Sequence, residues 1–281
     1  MIHVLTVHWK DATWVDIQLE YLRRNISDDY RVYAFLNDVP GNHADKYFYC
    51  STEPIEKHAI KLNLLADIAS FNADGPDDLL VFIDGDAFPI SNISEFARRT
   101  IGKYPLAAIQ RVENAGDIQP HPCFCMTTVG FWKQIKGDWK AGFEWRNGEG
   151  RMVTDVGGNL LKILQEQNVE WYPLKRTNKK NIHPLWFGIY DDLVYHHGAG
   201  FRSAMVSRLD WSTRWETTPS RKARKILLDA LPSRGPIRKL KKKLAMQEKM
   251  VDEIDKKNRA MARDVLNMIQ NDAEFHRLFM S

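Results

Sequence analysis

Residues 79–83, LLVFI, form an unbroken apolar run that stops abruptly at Asp84-Gly85-Asp86. A run of that length bounded by turn residues predicts a buried central strand of a parallel sheet. Shorter apolar or alternating stretches predict further strands at 2–7, 31–36, 47–50, 105–110, 123–128 and 169–174, with a late one leading into His196. Helical spacing appears at 12–25, through Trp14, Ile17, Leu19, Tyr21 and Leu22, and again from Glu53, through Ile60, Leu64, Leu65 and Ile68. Ser94 is placed to cap a short helix EFARRTI, another starts at Gly130, and Thr154 is placed to cap the helix containing LLKILQEQ. Strands alternating with helices predict an α/β domain. Residues 111–120 lack apolar periodicity and read as a mobile substrate lid.

The C-terminal third has a different pattern. Between Arg221 and Lys243 there are ten Lys or Arg and one acidic residue, broken by Pro232, Gly235 and Pro236. Such a run suits either a solvated linker or contact with an anionic membrane surface, at about 1 kcal/mol per basic residue. Ile226, Leu227, Leu228 and Leu231 favour shallow docking in a lipid interface over nucleic acid, and the aromatic interleaving of a single-strand binder is absent. Beyond it, Leu240, Leu244, Gln247, Val251, Ile254, Asn258, Met261, Val265 and Met268 alternate at steps of four and three. That seam over 240–268 fits a homodimeric coiled coil with Asn258 at an a position, or a helix packed back on its own chain.

The length of 281 residues suits one catalytic domain of about 200–220 residues and an appendage. The opening MIHVLTVHW reads as a strand and not as a signal peptide, and no apolar run approaches the ~18–20 residues of a membrane span. Three cysteines, Cys50, Cys123 and Cys125, argue for a reducing cytoplasm over a disulfide framework. Cys123 and Cys125 are expected on one strand face, as small core residues in preference to metal ligands.

The chemistry concentrates where the central strand ends. Ligands of open α/β sheets bind beyond the carboxyl ends of the strands. Carboxylates at Asp84 and Asp86, about 6 Å apart, repel by ~2–3 kcal/mol at an effective dielectric near 20. A divalent cation removes that cost, and Gly85 would leave space for a phosphate. The plainer alternative is a solvated turn. Trp139, Trp145 and Arg146, in a Gly- and Trp-rich connection, suit stacking on the apolar faces of sugar rings, with core burial as the equal alternative for each tryptophan. Asp155 sits where a helix dipole favours an acidic residue.

An apolar strand ending in Asp84-x-Asp86 resembles the metal-binding signature of GT-A-type glycosyltransferases. The resemblance implies a Rossmann-type mixed sheet flanked by helices over residues 1–215, followed by a basic linker at 216–239 and a helical C-terminal extension at 240–281. It implies Mn²⁺ or Mg²⁺ on the diphosphate of a nucleotide-sugar donor, held by Asp84, Asp86 and a histidine after a late strand. His196-His197-Gly198-Ala199-Gly200-Phe201-Arg202 matches that element, with His196 favoured over His197 by spacing, Gly198 letting the backbone approach phosphate, and Arg202 on the departing diphosphate. By the same resemblance His8, Trp9 and Asp11 lie by the base and ribose, and Lys61 and Gly85 by the donor. Asp155 becomes the general base for an acceptor hydroxyl, with Glu149 and Glu144 as substitutes. Together with such a domain, the basic run at 221–243 suggests a lipid-linked or other glycan acceptor at the cytoplasmic membrane face. The Glu-Asp pair of better-known members is missing at the base. Two other enzyme classes share parts of this pattern. A haloacid-dehalogenase-type phosphatase wants a threonine where Phe88 stands, and a nucleotidyltransferase wants a Gly-rich loop after the first strand. A non-enzymatic membrane adaptor leaves Asp84, Asp86 and His196 unexplained.

Overall fold

A computed structural model describes residues 1–200, 230 and 247–281 of the chain. It divides into two units, residues 1–201 with 274–281, and residues 202–273. The first unit is built on a seven-stranded sheet of β1 (Ile2–Trp9), β2 (Tyr30–Asn37), β3 (Tyr49–Ser51), β4 (Leu79–Asp84), β6 (Leu106–Ile109), β7 (His121–Thr128) and β10 (Tyr172–Leu174). Its order is β10-β6-β7-β4-β1-β2-β3, which puts β4 in the middle. β4 pairs in parallel with β1 but antiparallel with β7, so the sheet is mixed, as the fold class required. Four of the six β4 residues are buried, in keeping with its unbroken apolar run.

Helices cover both faces. On one face α1 (Thr13–Asn25) and α3 (Ile93–Thr100) bury Val15, Leu22, Ile93 and Phe96 against Val4, Val81 and Ile83. On the other, α2 (His58–Phe71), α4 (Val129–Ile135) and α5 (Gly158–Glu166) bury Leu62, Leu65, Trp132 and Leu160 against Leu5, Leu80 and Phe82. A three-stranded antiparallel sheet joins β5 (Ala87–Pro89), β12 (Val194–His196) and β11 (Gly188–Tyr190), and a small hairpin pairs β8 (Trp145–Arg146) with β9 (Met152–Val153).

Several local expectations shift. α2 begins at His58 and not near Glu53, with Pro54 in the extended stretch before it. Its buried face is Ala59, Leu62, Leu65, Ala66 and Ala69, the alanines allowing close approach to the sheet, while Leu64 is turned outward. α3 is capped by Asn92, whose Oδ1 accepts from Glu95 N at 3.0 Å; Ser94 lies inside the helix and accepts from Ser27 N and Asp28 N instead. α5 is entered through Gly157, and Thr154 Oγ1 accepts from Gly142 N. The expected lid at 111–120 is anchored, with Arg111, Asp117 and Gln119 buried and Ala115 O accepting from Gly148 N at 2.7 Å.

Cys123 and Cys125 do not share a face. A register shift after Ala108 pairs Ile109 with His121, and the two thiols enter opposite core clusters. All three cysteines are free.

The final residues also depart from expectation. The short helix α7 (Arg277–Met280) closes the chain inside the first unit, with Phe275 and Phe279 fully buried. In the second unit α6 (Gln247–Asn271) presents Ile254, Asn258, Val265 and Ile269 as buried residues within the single chain, whereas Met268 is exposed. The basic run at 221–243, Ala230 aside, and the start of the 240–268 seam lie outside the described residues, as does Arg202. Among the described residues no helix is long and apolar enough to cross a membrane.

Candidate metal centre

The Asp84-Gly85-Asp86 turn is held from several sides. Gln18, on the buried face of α1, donates through Nε2 to Asp84 O at 2.8 Å and Ala87 O at 2.7 Å, while its Oε1 meets His8 Nε2 at 3.2 Å. Asp86 O accepts from His197 N at 3.0 Å, and Asp86 Oδ2 from Gly200 N at 3.1 Å. Gly200 is required by close approach, since a Cβ there would lie 2.6 Å from Trp14 Nε1 and 2.9 Å from Asp86 Cβ.

Pairing between β5 and β12 then brings in the histidine. His196 sits opposite Ala87, the residue after Asp86. Its Nε2 lies 3.7 Å from Asp84 Oδ2 and 3.5 Å from Asp86 Oδ1. One ligand atom from each of Asp84, Asp86 and His196 falls within 4.8 Å of the others. Two carboxylates and an imidazole suit a divalent cation such as Mn²⁺ or Mg²⁺. The buried Asp84 Oδ1 makes no aligned hydrogen bond and faces His58 Nε2 at 3.2 Å, so Oδ2, on the His196 side, is the oxygen turned toward such an ion.

The electrostatics favour ionised carboxylates. Burial pushes the Asp84 carboxyl up, but His58 and then His196 outweigh it and hold it well below the usual carboxylate range. Burial also opposes ionisation of Asp86, and the His196 imidazole again turns the balance downward. His121 stays neutral, pushed well below its ordinary value by burial and then by Arg111.

The donor-side residues divide. Trp9 is 45% exposed at the end of β1, with Lys10 Nζ 4.5 Å above its ring. His8 is fully buried, its pKa lowered to about 4 by desolvation, and it faces Gly85 and Gln18 instead of solvent. Gly85 is required by close packing, since a Cβ there would lie 2.6 Å from Val7 O and 2.8 Å from His8 Nδ1. Lys61 is buried and donates to Asn37 Oδ1 at 2.7 Å, so it is a core group at the end of β2 and not a free donor contact. His197 is buried between Trp14 and Phe187 and bonded to the Tyr195 hydroxyl at 2.9 Å, which removes it as a ligand and leaves His196. Gly198 is half-buried beside the His196 and Trp186 rings. Asp11 Oδ1 accepts from Thr13 N at the start of α1.

On the acceptor side the tryptophans are core residues. Trp139 is fully buried against Phe82 and Trp132, and Trp145 is buried on β8, so neither offers a face to a sugar. Arg146 is exposed and donates to Gly150 O at 3.0 Å. Asp155 is exposed before α5, its Oδ1 accepting from Val156 N. It adds like charge to Asp117, whose carboxyl is raised by burial first and by Asp155 among the further causes.

Sequence reasoning missed Gln18, His58 and His121 as parts of this centre. His58 Nε2 lies 3.2 Å from Asp84 Oδ1, and the His121 ring centroid lies 6.4 Å from that of His196. The available signal was a glutamine on the same helical face as Trp14 and Leu22, where an apolar residue belongs.

No protein-family model matches the chain, and no curated protein matches it. Among solved structures it is similar to TarS from S. aureus at 12% identity and TM-score 0.36, over 50% of this chain and 30% of that one. TarS 1–349 in complex with UDP-GlcNAc aligns at 11% identity and TM-score 0.35, over 50% and 48% respectively. The glycosyltransferase GlyE from Streptococcus pneumoniae TIGR4 aligns at 11% identity and TM-score 0.36, over 60% and 40%. The aligned part spans less than half of each of these three.

Proposed function

We propose that this chain is a metal-dependent glycosyltransferase with a GT-A-like domain. It moves a sugar from a nucleotide-diphosphate sugar to a hydroxyl of a glycan or lipid-linked acceptor, with Mn²⁺ or Mg²⁺ as cofactor. One observation supports this above the rest. Asp84, Asp86 and His196, far apart in sequence, converge beyond the carboxyl end of the central strand, where α/β sheets bind nucleotides.

In this reading Asp84, Asp86 and His196 hold the cation, which when bound neutralises charge developing on the leaving diphosphate. Trp9 offers its exposed ring to the base or ribose. Arg202 is assigned to the diphosphate on its spacing from His196. Asp155 takes the proton of the acceptor hydroxyl, and the buried Asp117, its carboxyl raised first by burial, keeps a second carboxyl within the same region. The basic run at 221–243 would bring the chain to an anionic surface carrying the acceptor.

The test is thermal unfolding of the full chain with uridine, guanosine, adenosine and cytidine diphosphates, with and without Mn²⁺, repeated on Asp86→Ala. The expected result is a raised midpoint with one nucleotide that needs both Mn²⁺ and Asp86. A midpoint indifferent to every nucleotide in the presence of Mn²⁺ overturns the reading and favours the phosphatase or adaptor.

A further inference from the structure

We infer that His58 is the positioning residue of the metal centre: it holds Asp84 by one carboxylate oxygen so that the other is presented to the cation. The inference rests on the metal-centre reading above.

His58 is the first residue of α2, the helix that packs directly beneath β1, β2 and β4. The extended stretch ending at Lys57 delivers the helix start at the carboxyl edge of the sheet, so the imidazole meets the last residue of β4. His58 Nε2 lies 3.2 Å from Asp84 Oδ1, while Asp84 Oδ2 is the oxygen turned toward His196, at 3.7 Å. The carboxylate is therefore bracketed by two imidazoles, one on each oxygen. A carboxylate at a strand end retains rotation about both side-chain torsions. A partner fixed by a helix on one oxygen removes that freedom and aims the second. Strand pairing fixes the His196 backbone and Gly200 N holds Asp86 Oδ2, whereas the contacts of the Asp84 carboxylate are to the side chains of His58 and His196.

The short contact is close enough for an ion pair but not aligned as a hydrogen bond. Outer-shell partners of this kind commonly account for about a 10–100-fold share of metal affinity.

The experiment is titration of the full-length protein with Mn²⁺, followed by electron paramagnetic resonance, on wild type, His58→Ala and His58→Gln. Thermal unfolding of each is measured without metal. His58→Ala is expected to bind Mn²⁺ about 10–100-fold more weakly with an unchanged metal-free midpoint. His58→Gln, whose amide reaches the same oxygen, recovers most of the affinity. Wild-type affinity in His58→Ala overturns the inference while leaving the metal centre standing. A lowered metal-free midpoint with no recovery in His58→Gln overturns it in favour of a packing role. A wild-type protein that binds no Mn²⁺ overturns the metal centre and this inference together.

Discussion

His197 is 2% exposed, packed between Trp14, Phe187 and Tyr195, and desolvation lowers its pKa to about 4. His8, under the Asp84–Asp86 turn, is lowered to about 4 for the same reason. In the unfolded chain both return toward the model-peptide value near 6.5. Between about pH 4 and 6.5 the unfolded state thus binds more protons than the folded one, so stability rises with pH across that window. It is fully present above about pH 6.5 and is lost as pH falls toward the folded value. Urea unfolding from pH 7.5 down to pH 4.5 should show this slope, and His197→Asn, which keeps a polar partner for the Tyr195 hydroxyl, should reduce it by about one proton. An unchanged slope in His197→Asn would show that His197 titrates as freely folded as unfolded. Two adjacent histidines with one pattern in sequence thus carry different work. Strand alternation aims His196 at Asp86 and His197 at Trp14, and spacing alone had already favoured His196.

The turn that carries the ligands is braced by a helix, and one side chain makes the connection. Gln18 spans from α1 to the carbonyls of Asp84 and Ala87, at the two ends of the Asp84-Gly85-Asp86 turn. Replacing it with methionine keeps the volume and removes both donors. Each buried carbonyl left without that donor costs about 1–3 kcal/mol, so Gln18→Met should lower unfolding stability by that order. It should also weaken Mn²⁺ binding, because the Asp84 and Ala87 carbonyls that flank Asp86 are no longer tied. Wild-type stability and affinity in this variant would mean that the turn is held by strand pairing alone. The elements themselves were legible where pattern is strong: β4, β1, β2 and β7 follow apolar runs, and their mixed sheet with flanking helices matches the expected class. Caps and faces were less legible. Asn92 displaced Ser94, and the alanine face of α2 displaced the isoleucine and leucine stripe, because tertiary approach decides which candidate is used. The tryptophans of the 137–151 connection were ambiguous in sequence, since stacking surface and core demand the same side chain. Burial of Trp139 on Phe82 resolves that ambiguity for the core.

The unit that carries the candidate metal centre is discontinuous in sequence, since residues 274–281 belong to it. Phe275 packs edge-on against Tyr195 with centroids 4.9 Å apart and against Phe88 at 6.0 Å, while Phe279 lies 6.1 Å from Tyr195. Tyr195 precedes His196 on β12, and Phe88 follows Asp86 on β5, paired directly across from Tyr195. The far side of Phe88 stacks on Tyr21 of α1 at 4.2 Å. Lys179 N and Lys180 N donate to Phe279 O at 2.9 and 3.1 Å, tying the chain end to the loop before β11. The last turn of the polypeptide is therefore part of the wall behind the ligand-bearing strands. No periodicity announces this, because two phenylalanines past the end of a long helix look like the frayed end of an appendage. Phe275→Ala and Phe279→Ala should each destabilise the first unit by about 3–5 kcal/mol, the usual cost of a vacated aromatic site. The structure adds a sharper expectation. Because the cavity opens behind β5 and β12, Mn²⁺ affinity should fall in Phe275→Ala under conditions where the variant remains folded by far-ultraviolet circular dichroism. Phe71→Ala, which removes a phenylalanine that is 90% exposed at the end of α2, is the control that should leave both quantities unchanged. Equal Mn²⁺ binding by folded Phe275→Ala and Phe71→Ala would uncouple the chain end from the metal centre and reduce residues 274–281 to a general contribution to stability.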